Sequence, residues 1–207
     1  MIKILSISGS PIENSSTDIL LDTIATSLKG SLPKDVEISY SQIKLNEITI
    51  KPCQACGESP TPKFCFYDDL DSLYTQLAEC DCLLFGSPVY FDSVSAQAKL
   101  LIDRCNCFRP PDFENTNENY QFLKILNRKR PGAMVLVGGE NTWYEGARRV
   151  IAGYFKWIEV TNEGMIQYAS PDYNVKGSVA NQTEKIKEAQ ELGKMLARKV
   201  CENEQKA

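Results

Sequence analysis

The sequence predicts an α/β fold, a three-layer sandwich with a five-stranded parallel sheet and helices on both faces. Short apolar segments alternate with longer amphipathic ones five times along the chain, as in β-α units. The run at 133–137 is apolar at every position, which is typical of a strand buried on both faces. At 207 residues, and without a repeat or linker, the chain fits one domain over 1–207.

The first half predicts three strands and three helices. The strands lie at 2–7, 36–40 and 80–85, and the segment 43–50 is ambiguous. A 3.6-residue apolar stripe predicts a helix over 16–29, with Gly30 as its stop. A second helix opens at Asp68-Asp69-Leu70, and a third covers 95–105. The proline-rich stretch 51–67 between these elements is predicted to be a loop containing cysteines.

The second half predicts the remaining two strands, at 133–137 and 160–168. Helices are expected at 144–158 and 182–200, where apolar residues again recur at helical spacing. Residues 106–130 are polar and contain adjacent prolines, so they are interpreted as an insertion with a short helix at 120–126.

Composition excludes several functions. The net charge of −4 and the pI near 5.1 argue against binding to nucleic acid or to an anionic membrane. No apolar run approaches the ~20 residues that span a bilayer, and no signal-peptide pattern is present, so we expect a cytoplasmic protein. The chain has no histidine, which removes Ser-His-Asp and Cys-His catalysis. A cofactor is therefore expected to carry the chemistry.

Three loops that follow predicted strands are rich in binding groups. Ser8–Thr17 has five hydroxyls at a strand-to-helix junction, where free helix amides favour a phosphate. An ordinary capped turn is the alternative. Pro88–Phe91 and Gly138–Trp143 follow the third and fourth strands. Ligands of open α/β sheets bind at the carboxyl ends of strands, so one rim is expected to unite the three loops.

Several motifs together resemble the flavodoxin-like NAD(P)H-dependent FMN reductases, including their iron–sulfur flavoprotein branch. The similarity covers about residues 1–170. It rests on Gly9-Ser10-Pro11, Ser15-Ser16-Thr17, Cys53-Gln54-Ala55-Cys56, Phe64-Cys65-Phe66-Tyr67-Asp68-Asp69, Gly86-Ser87-Pro88-Val89-Tyr90-Phe91, Ser95-Ala96-Gln97-Ala98-Lys99 and Asp103-Arg104. The first loop lacks both the Walker lysine and the Gly-x-Gly-x-x-Gly fingerprint, which disfavours ATP and a standard dinucleotide site.

The resemblance implies an FMN-dependent oxidoreductase with a flavodoxin-like fold. NAD(P)H would be the co-substrate, and the acceptor a quinone, a flavin, a metal or a redox protein. The flavin carries the chemistry, so no catalytic side chain is assigned, and a homodimer or homotetramer is implied. Two other hypotheses remain open: a non-enzymatic electron carrier, which would not oxidise NAD(P)H continuously, and a scaffold without flavin.

The residues implied to bind FMN come from the same three loops. They are Ser8, Ser10, Pro11, Ser15, Ser16, Thr17, Pro88, Val89, Tyr90, Phe91, Gly138, Gly139 and Glu140. Alternatively, Pro88–Phe91 is a strand end packed on a neighbour, and Glu140 is only solvated. Asp103-Arg104 belongs either to a helix that joins subunits or to an internal ion pair.

Eight cysteines are many for a chain expected in a reducing compartment. Cys53, Cys56 and Cys65 match part of the family's four-cysteine motif for a [4Fe-4S] cluster, and Ser59 occupies the remaining ligand position. The missing thiolate favours a loop without metal over a cluster, while zinc or a redox-active thiol stays open. The remaining cysteines, including Cys107, are interpreted as small hydrophobic residues or, for Cys201, as surface.

Overall fold

The computed structural model describes residues 1–56, 64–111, 122–139, 143–172 and 175–204. Its strands are β1 (Ile2–Ser8), β2 (Ile38–Lys44), β3 (Cys82–Tyr90), the two-residue β4 (Ser93–Val94), β5 (Arg130–Gly138) and β6 (Val160–Ala169). Its α-helices are α1 (Ser16–Ser31), α2 (Asp71–Glu79), α3 (Ala96–Arg104), α4 (Glu145–Trp157) and α5 (Thr183–Glu204).

Five of the strands form one parallel sheet in the order β2-β1-β3-β5-β6. The short β4 folds back antiparallel on the end of β3. This is the flavodoxin-like strand order, and it confirms the predicted five-stranded parallel sheet. The order reverses between β1 and β3, so the site expected in such a sheet lies where these two strands end.

Helices cover both faces of the sheet, as predicted. On one face, Leu73 of α2, Leu101 of α3 and Ile151 of α4 belong to one buried apolar cluster. On the other face, Ile24 of α1 and Leu196 of α5 belong to a second cluster. Within β3, side chains alternate between the two clusters, as the pleat of a strand requires. None of the described helices is both long enough and apolar enough to cross a membrane.

The bounds of α1 and β2 differ from the sequence prediction. The helix continues through Gly30, which keeps right-handed backbone geometry and has open space where a side chain would stand. It ends at Ser31, and the next residue, Leu32, has the extended backbone that the following Pro33 favours. The second strand runs over Ile38–Lys44 rather than 36–40, so it includes the start of the ambiguous segment.

Two further predictions are corrected. Helix α2 begins at Asp71, because the carboxylate of Asp69 binds Arg104 instead of the first turn of a helix. No helix is present in residues 122–126; Phe122 instead pairs with Pro111 in an isolated β-bridge. Residues 120 and 121 lie outside the described part of the chain.

Candidate functional site

A chain of buried hydrogen bonds joins the first loop to the end of β3 and the start of α3. The backbone amide of Gly9 donates to the carbonyl of Gly86 over 2.8 Å. The hydroxyl of Ser95 caps α3 and donates to the Gly9 carbonyl over 2.6 Å, while the Ser95 amide donates to the Ser87 hydroxyl over 2.9 Å. A Cβ atom at Gly9 would lie 2.8 Å from that of Ala98, so only glycine fits this junction. The two loops are thus held in a fixed relative position.

The start of α1 is held by a capping box. The Ser15 hydroxyl accepts from the amide of Asp18, whose carboxylate accepts from the Ser15 amide. The same carboxylate, which is buried, accepts from the Ser8 hydroxyl over 2.6 Å and lies 3.5 Å from the ammonium of Lys44. Lys44 offsets the charge of Asp18. The next helix amides, on Ser16 and Thr17, have no carbonyl partner within the helix and are available to an anion.

A cleft of about 250 Å³ lies at the carboxyl ends of β1, β3 and β5. Nine of the thirteen residues predicted to bind a flavin line it: Ser10, Ser15, Ser16, Thr17, Pro88, Val89, Tyr90, Gly138 and Gly139. Three loops that are far apart in sequence therefore meet at one rim, as the topology predicted. A larger groove of about 580 Å³, beside Asp81 and Arg128, lies at the opposite ends of the strands.

The other four predicted residues have different positions. Ser8 is fully buried and bound to Asp18, Pro11 is partly exposed, and neither is among the described residues that line the cleft. Phe91 points fully into solvent and is likewise absent from that lining. Glu140 lies outside the described residues, as do 141 and 142. That these thirteen residues bind a cofactor remains a prediction.

The segment after β3 is a tight hairpin. Phe91 and Asp92 both have positive φ angles, of 52° and 55°, as the two central residues of a type I′ turn require. The Asp92 carboxylate accepts from the Gly146 amide over 2.9 Å, which ties the hairpin to the start of α4. Tyr90, before the turn, is half-exposed on the cleft, and partial burial raises the pKa of its phenol.

A fourth segment, which sequence reasoning missed, completes the cleft after β6. Ser170, Asp172 and Val175–Gly177 line it, and Lys176 brings a positive charge. Gly177 has a φ of 62° and packs against Ile19 and the Asn14 carbonyl, next to the first loop. The Val179 amide also donates to the Ser16 hydroxyl. The sequence did contain a signal for this segment: polar residues, a glycine and a lysine follow the predicted fifth strand. The carboxyl ends of all the parallel strands lie at the same rim, so residues that follow any of them can line the cleft.

A second, smaller cavity of about 90 Å³ is lined by four of the eight cysteines. Cys53, Cys56 and Cys65 line it from one loop, and Cys107 lines it from the turn after α3. Cys107 is therefore not an isolated hydrophobic residue, whereas Cys105 is fully buried as predicted. Ser59 lies outside the described residues.

Arg104 forms one wall of this cysteine cavity and is 1% exposed. Its guanidinium donates both to the two oxygens of Asp69, over 2.6 and 2.9 Å, and to the Lys51 carbonyl, and it lies over the Tyr67 ring. The internal ion pair considered for Arg104 is thus present. Asp103 instead pairs with Lys99 on the surface.

The positions and pKa values of the cysteines limit the chemistry of this cavity. Among the described residues, no three Cys, Asp or Glu side chains are grouped so that they could hold a single metal ion. Burial raises the pKa of the Cys107 thiol to about 12, so the free thiol is protonated at neutral pH. A protonated thiol is a poor nucleophile, which argues against a redox-active role for Cys107.

Comparison with known proteins identifies the family. The model of the NADPH-dependent FMN reductase family matches residues 2–171. An iron-sulfur flavoprotein of Methanocaldococcus jannaschii is 33% identical over 108 residues, or 52% of this chain and 53% of that protein. A second from the same organism is 30% identical over 156 residues, or 74% of this chain and 70% of the relative. The chain belongs to the NADPH-dependent FMN reductase family, although its match spans only about half the length of the first relative.

Solved structures confirm the fold. A flavone reductase superposes with a TM-score of 0.66 at 19% identity, covering 96% of this chain and 63% of that one. An FMN-dependent NADH-azoreductase of Bacillus anthracis in complex with FMN gives a TM-score of 0.63 at 13% identity. That match covers 94% of this chain and 99% of the azoreductase. At these identities the likeness concerns the fold alone.

Proposed function

We propose that this chain binds FMN in the cleft at the carboxyl ends of β1, β3 and β5 and acts as an oxidoreductase. It would pass reducing equivalents from NAD(P)H to an acceptor such as a quinone, a flavin, a metal or a redox protein. The observation that carries the proposal is the convergence of an anion-binding helix start and two apolar strand ends on one cleft. Membership of an NADPH-dependent FMN reductase family supports the same conclusion.

The donor set of the first loop fits a phosphate. The amides of Ser16 and Thr17 lie at the positive end of α1, and the Ser10 and Ser15 hydroxyls stand beside them on the cleft. Lys176 lines the same cleft and adds the charge that the first loop lacks. Lys44 offsets the charge of Asp18, which reduces its repulsion of an anion, and two neutral hydrogen-bond donors hold the carboxylate in place.

The strand ends that line the cleft fit a flat aromatic ring. Pro88, Val89 and Val137 give an apolar surface, and Tyr90 adds an aromatic side chain. The backbone of Gly138 and Gly139 allows close approach because neither residue has a side chain. Bound FMN would supply the hydride and electron transfer. The protein would bind, orient and shield the ring. The chain has no histidine, so no histidine acts as a general acid in the cleft.

Two measurements test the proposal. Purified protein titrated with FMN should quench flavin fluorescence and turn yellow with one flavin per chain. The loaded protein should then oxidise NADH or NADPH continuously in the presence of a quinone or free flavin. A protein that binds FMN but does not sustain this oxidation would be an electron carrier. A colourless protein that takes up no FMN would refute the proposal.

A further inference from the structure

We propose that Cys107 supplies the fourth thiolate of a [4Fe-4S] site whose other ligands are Cys53, Cys56 and Cys65. All four thiols line the same cavity of about 90 Å³. Three come from the loop before α2, and Cys107 comes from the 3₁₀ turn Cys105–Phe108 after α3. The folded chain therefore restores the donor count that the serine at position 59 removes from the sequence motif. This site is separate from the flavin cleft, and the inference does not depend on the proposed function.

The donor set favours a cluster over a single ion. Four sulfur donors without histidine are typical of iron–sulfur clusters, although zinc also accepts four thiolates. Around one zinc ion the sulfurs would share a shell of about 2.3 Å radius. No three of the described Cys, Asp or Glu residues are grouped closely enough for such an ion. In a cubane each thiolate binds a different iron, so the four sulfurs stand farther apart around a larger centre.

Much of the cavity wall is apolar. Phe64 and the prolines 110 and 111 line it alongside the cysteines, while Phe66 and Cys56 leave part of it open to solvent. A cluster with four thiolates carries net negative charge, and Arg104 places a buried positive charge in the same wall. Positive charge and an apolar surround are among the factors that set the potential of such clusters.

An unused donor of Arg104 gives independent support. Asp69 and the Lys51 carbonyl occupy its two terminal nitrogens. Its Nε is buried and has no hydrogen-bond partner among the described residues. A buried donor without a partner is destabilising, so an acceptor is expected beside it. Cluster or thiolate sulfur would be such an acceptor, and hydrogen bonds to sulfur are a known part of cluster sites.

Loading requires only ligand exchange. A preformed [4Fe-4S] cluster carried by four small thiolates would exchange them for the four protein thiols. Each new iron–sulfur bond to the protein replaces one bond to a small thiolate, and the proton of the protein thiol leaves with the released thiol. No electron is transferred in this step, so neither an oxidant nor a reductant is needed.

The test offers that synthetic cluster, without oxygen, to the full-length chain and to two single variants. Wild type and the control Cys201→Ala should each retain about four iron and four sulfide per chain after desalting, with a broad visible absorption. Cys201 is on α5 and does not line the cysteine cavity. Cys107→Ala, with three thiolates left, should either keep one small thiolate on each bound cluster or lose the cluster on desalting, whereas wild type should keep no small thiolate. A full cluster free of small thiolate in Cys107→Ala, or no cluster in wild type, would overturn the proposal.

Two further measurements exclude a simple folding defect. Circular dichroism and FMN uptake report whether Cys107→Ala is folded, and neither depends on the cluster. If that variant does not fold, the proposal is tested on the wild-type chain alone, by alkylation of its cysteines. Prolonged alkylation followed by peptide mass spectrometry should label Cys107 in the iron-free chain and leave it protected in the loaded one. Equal labelling in both forms would refute the assignment. Loss of FMN binding alone would refute the proposed function and leave this result intact.

Discussion

At the scale of single residues, the ion pair between Arg104 and Asp69 is a nearly buried charged contact outside the cleft. Arg104 is 1% exposed and Asp69 is 14% exposed, so removing one partner leaves a charge with little access to water. Burial alone would raise the pKa of Asp69, but the hydrogen bonds from Arg104 and from the Lys51 amide lower it below its usual value. The pair also positions one wall of the cysteine cavity.

We expect Asp69→Asn to lower the free energy of unfolding by about 3–5 kcal/mol at pH 7, because it leaves Arg104 buried without a counter-charge. The matched control is Asp103→Asn, which breaks a surface pair worth at most about 1 kcal/mol. Urea unfolding measures both. An equal, small effect of the two substitutions would show that the buried pair contributes no more than the exposed one.

The pH dependence of the same pair has a defined sign. A carboxylate whose pKa is lowered by folding stabilises the protein above its unfolded pKa, near 3.9. That contribution is lost as the pH falls through the lower folded value. The difference in stability between wild type and Asp69→Asn should therefore be constant near neutrality and shrink only below about pH 4.

At the scale of elements, the site depends on how β1, β3 and α3 meet. Gly9 directly follows the first strand. Its carbonyl accepts from the Ser95 hydroxyl, and its amide donates to the Gly86 carbonyl. The sequence predicted that each of these segments ends near the rim. It did not show that the loops bind one another, because that contact joins residues 86 positions apart.

We expect Gly9→Ala to destabilise the protein by about 1–3 kcal/mol and to weaken FMN binding. The added methyl would lie 2.8 Å from the Ala98 side chain and 3.0 Å from the Ser95 hydroxyl, so the two loops must separate. Gly153→Ala is the control: it lies inside α4, has no atom within 4 Å of the added methyl, and should stabilise by about 0.5–1 kcal/mol. Urea midpoints and FMN titration compare the two, and equal midpoints would contradict the packing argument.

At the scale of the whole molecule, four separate segments build the cleft, so a ligand bound there ties together β1, β3, β5 and the segment after β6. A ligand that binds only the folded state raises its stability by mass action. At a hundred times its dissociation constant, FMN should add about 2.7 kcal/mol. For a chain of this size that corresponds to roughly 5–10 °C in the midpoint of thermal unfolding.

We expect riboflavin, which lacks the phosphate, to raise the midpoint of thermal unfolding clearly less than FMN does at the same concentration.

Lys176→Gln should weaken FMN binding by roughly tenfold to a hundredfold, because a charge-assisted hydrogen bond is worth about 1.5–3 kcal/mol. It should leave riboflavin binding unchanged. Lys185→Gln, in a surface pair on α5, is the control and should behave as wild type. Equal shifts for FMN and riboflavin would refute the proposed phosphate site.

The sequence by itself determined the layered α/β fold, the number of parallel strands and three of the loops at the rim. These follow from local apolar periodicity and from loop residues that stand next to the strands they end. Only the tertiary structure decided that Lys176 joins the cleft, that Phe91 faces solvent and that Cys107 meets the cysteine loop. The physical reason is the same in each case. These positions depend on crossover connections and on packing between segments that are distant in sequence. A local sequence pattern does not specify which distant residue a side chain contacts.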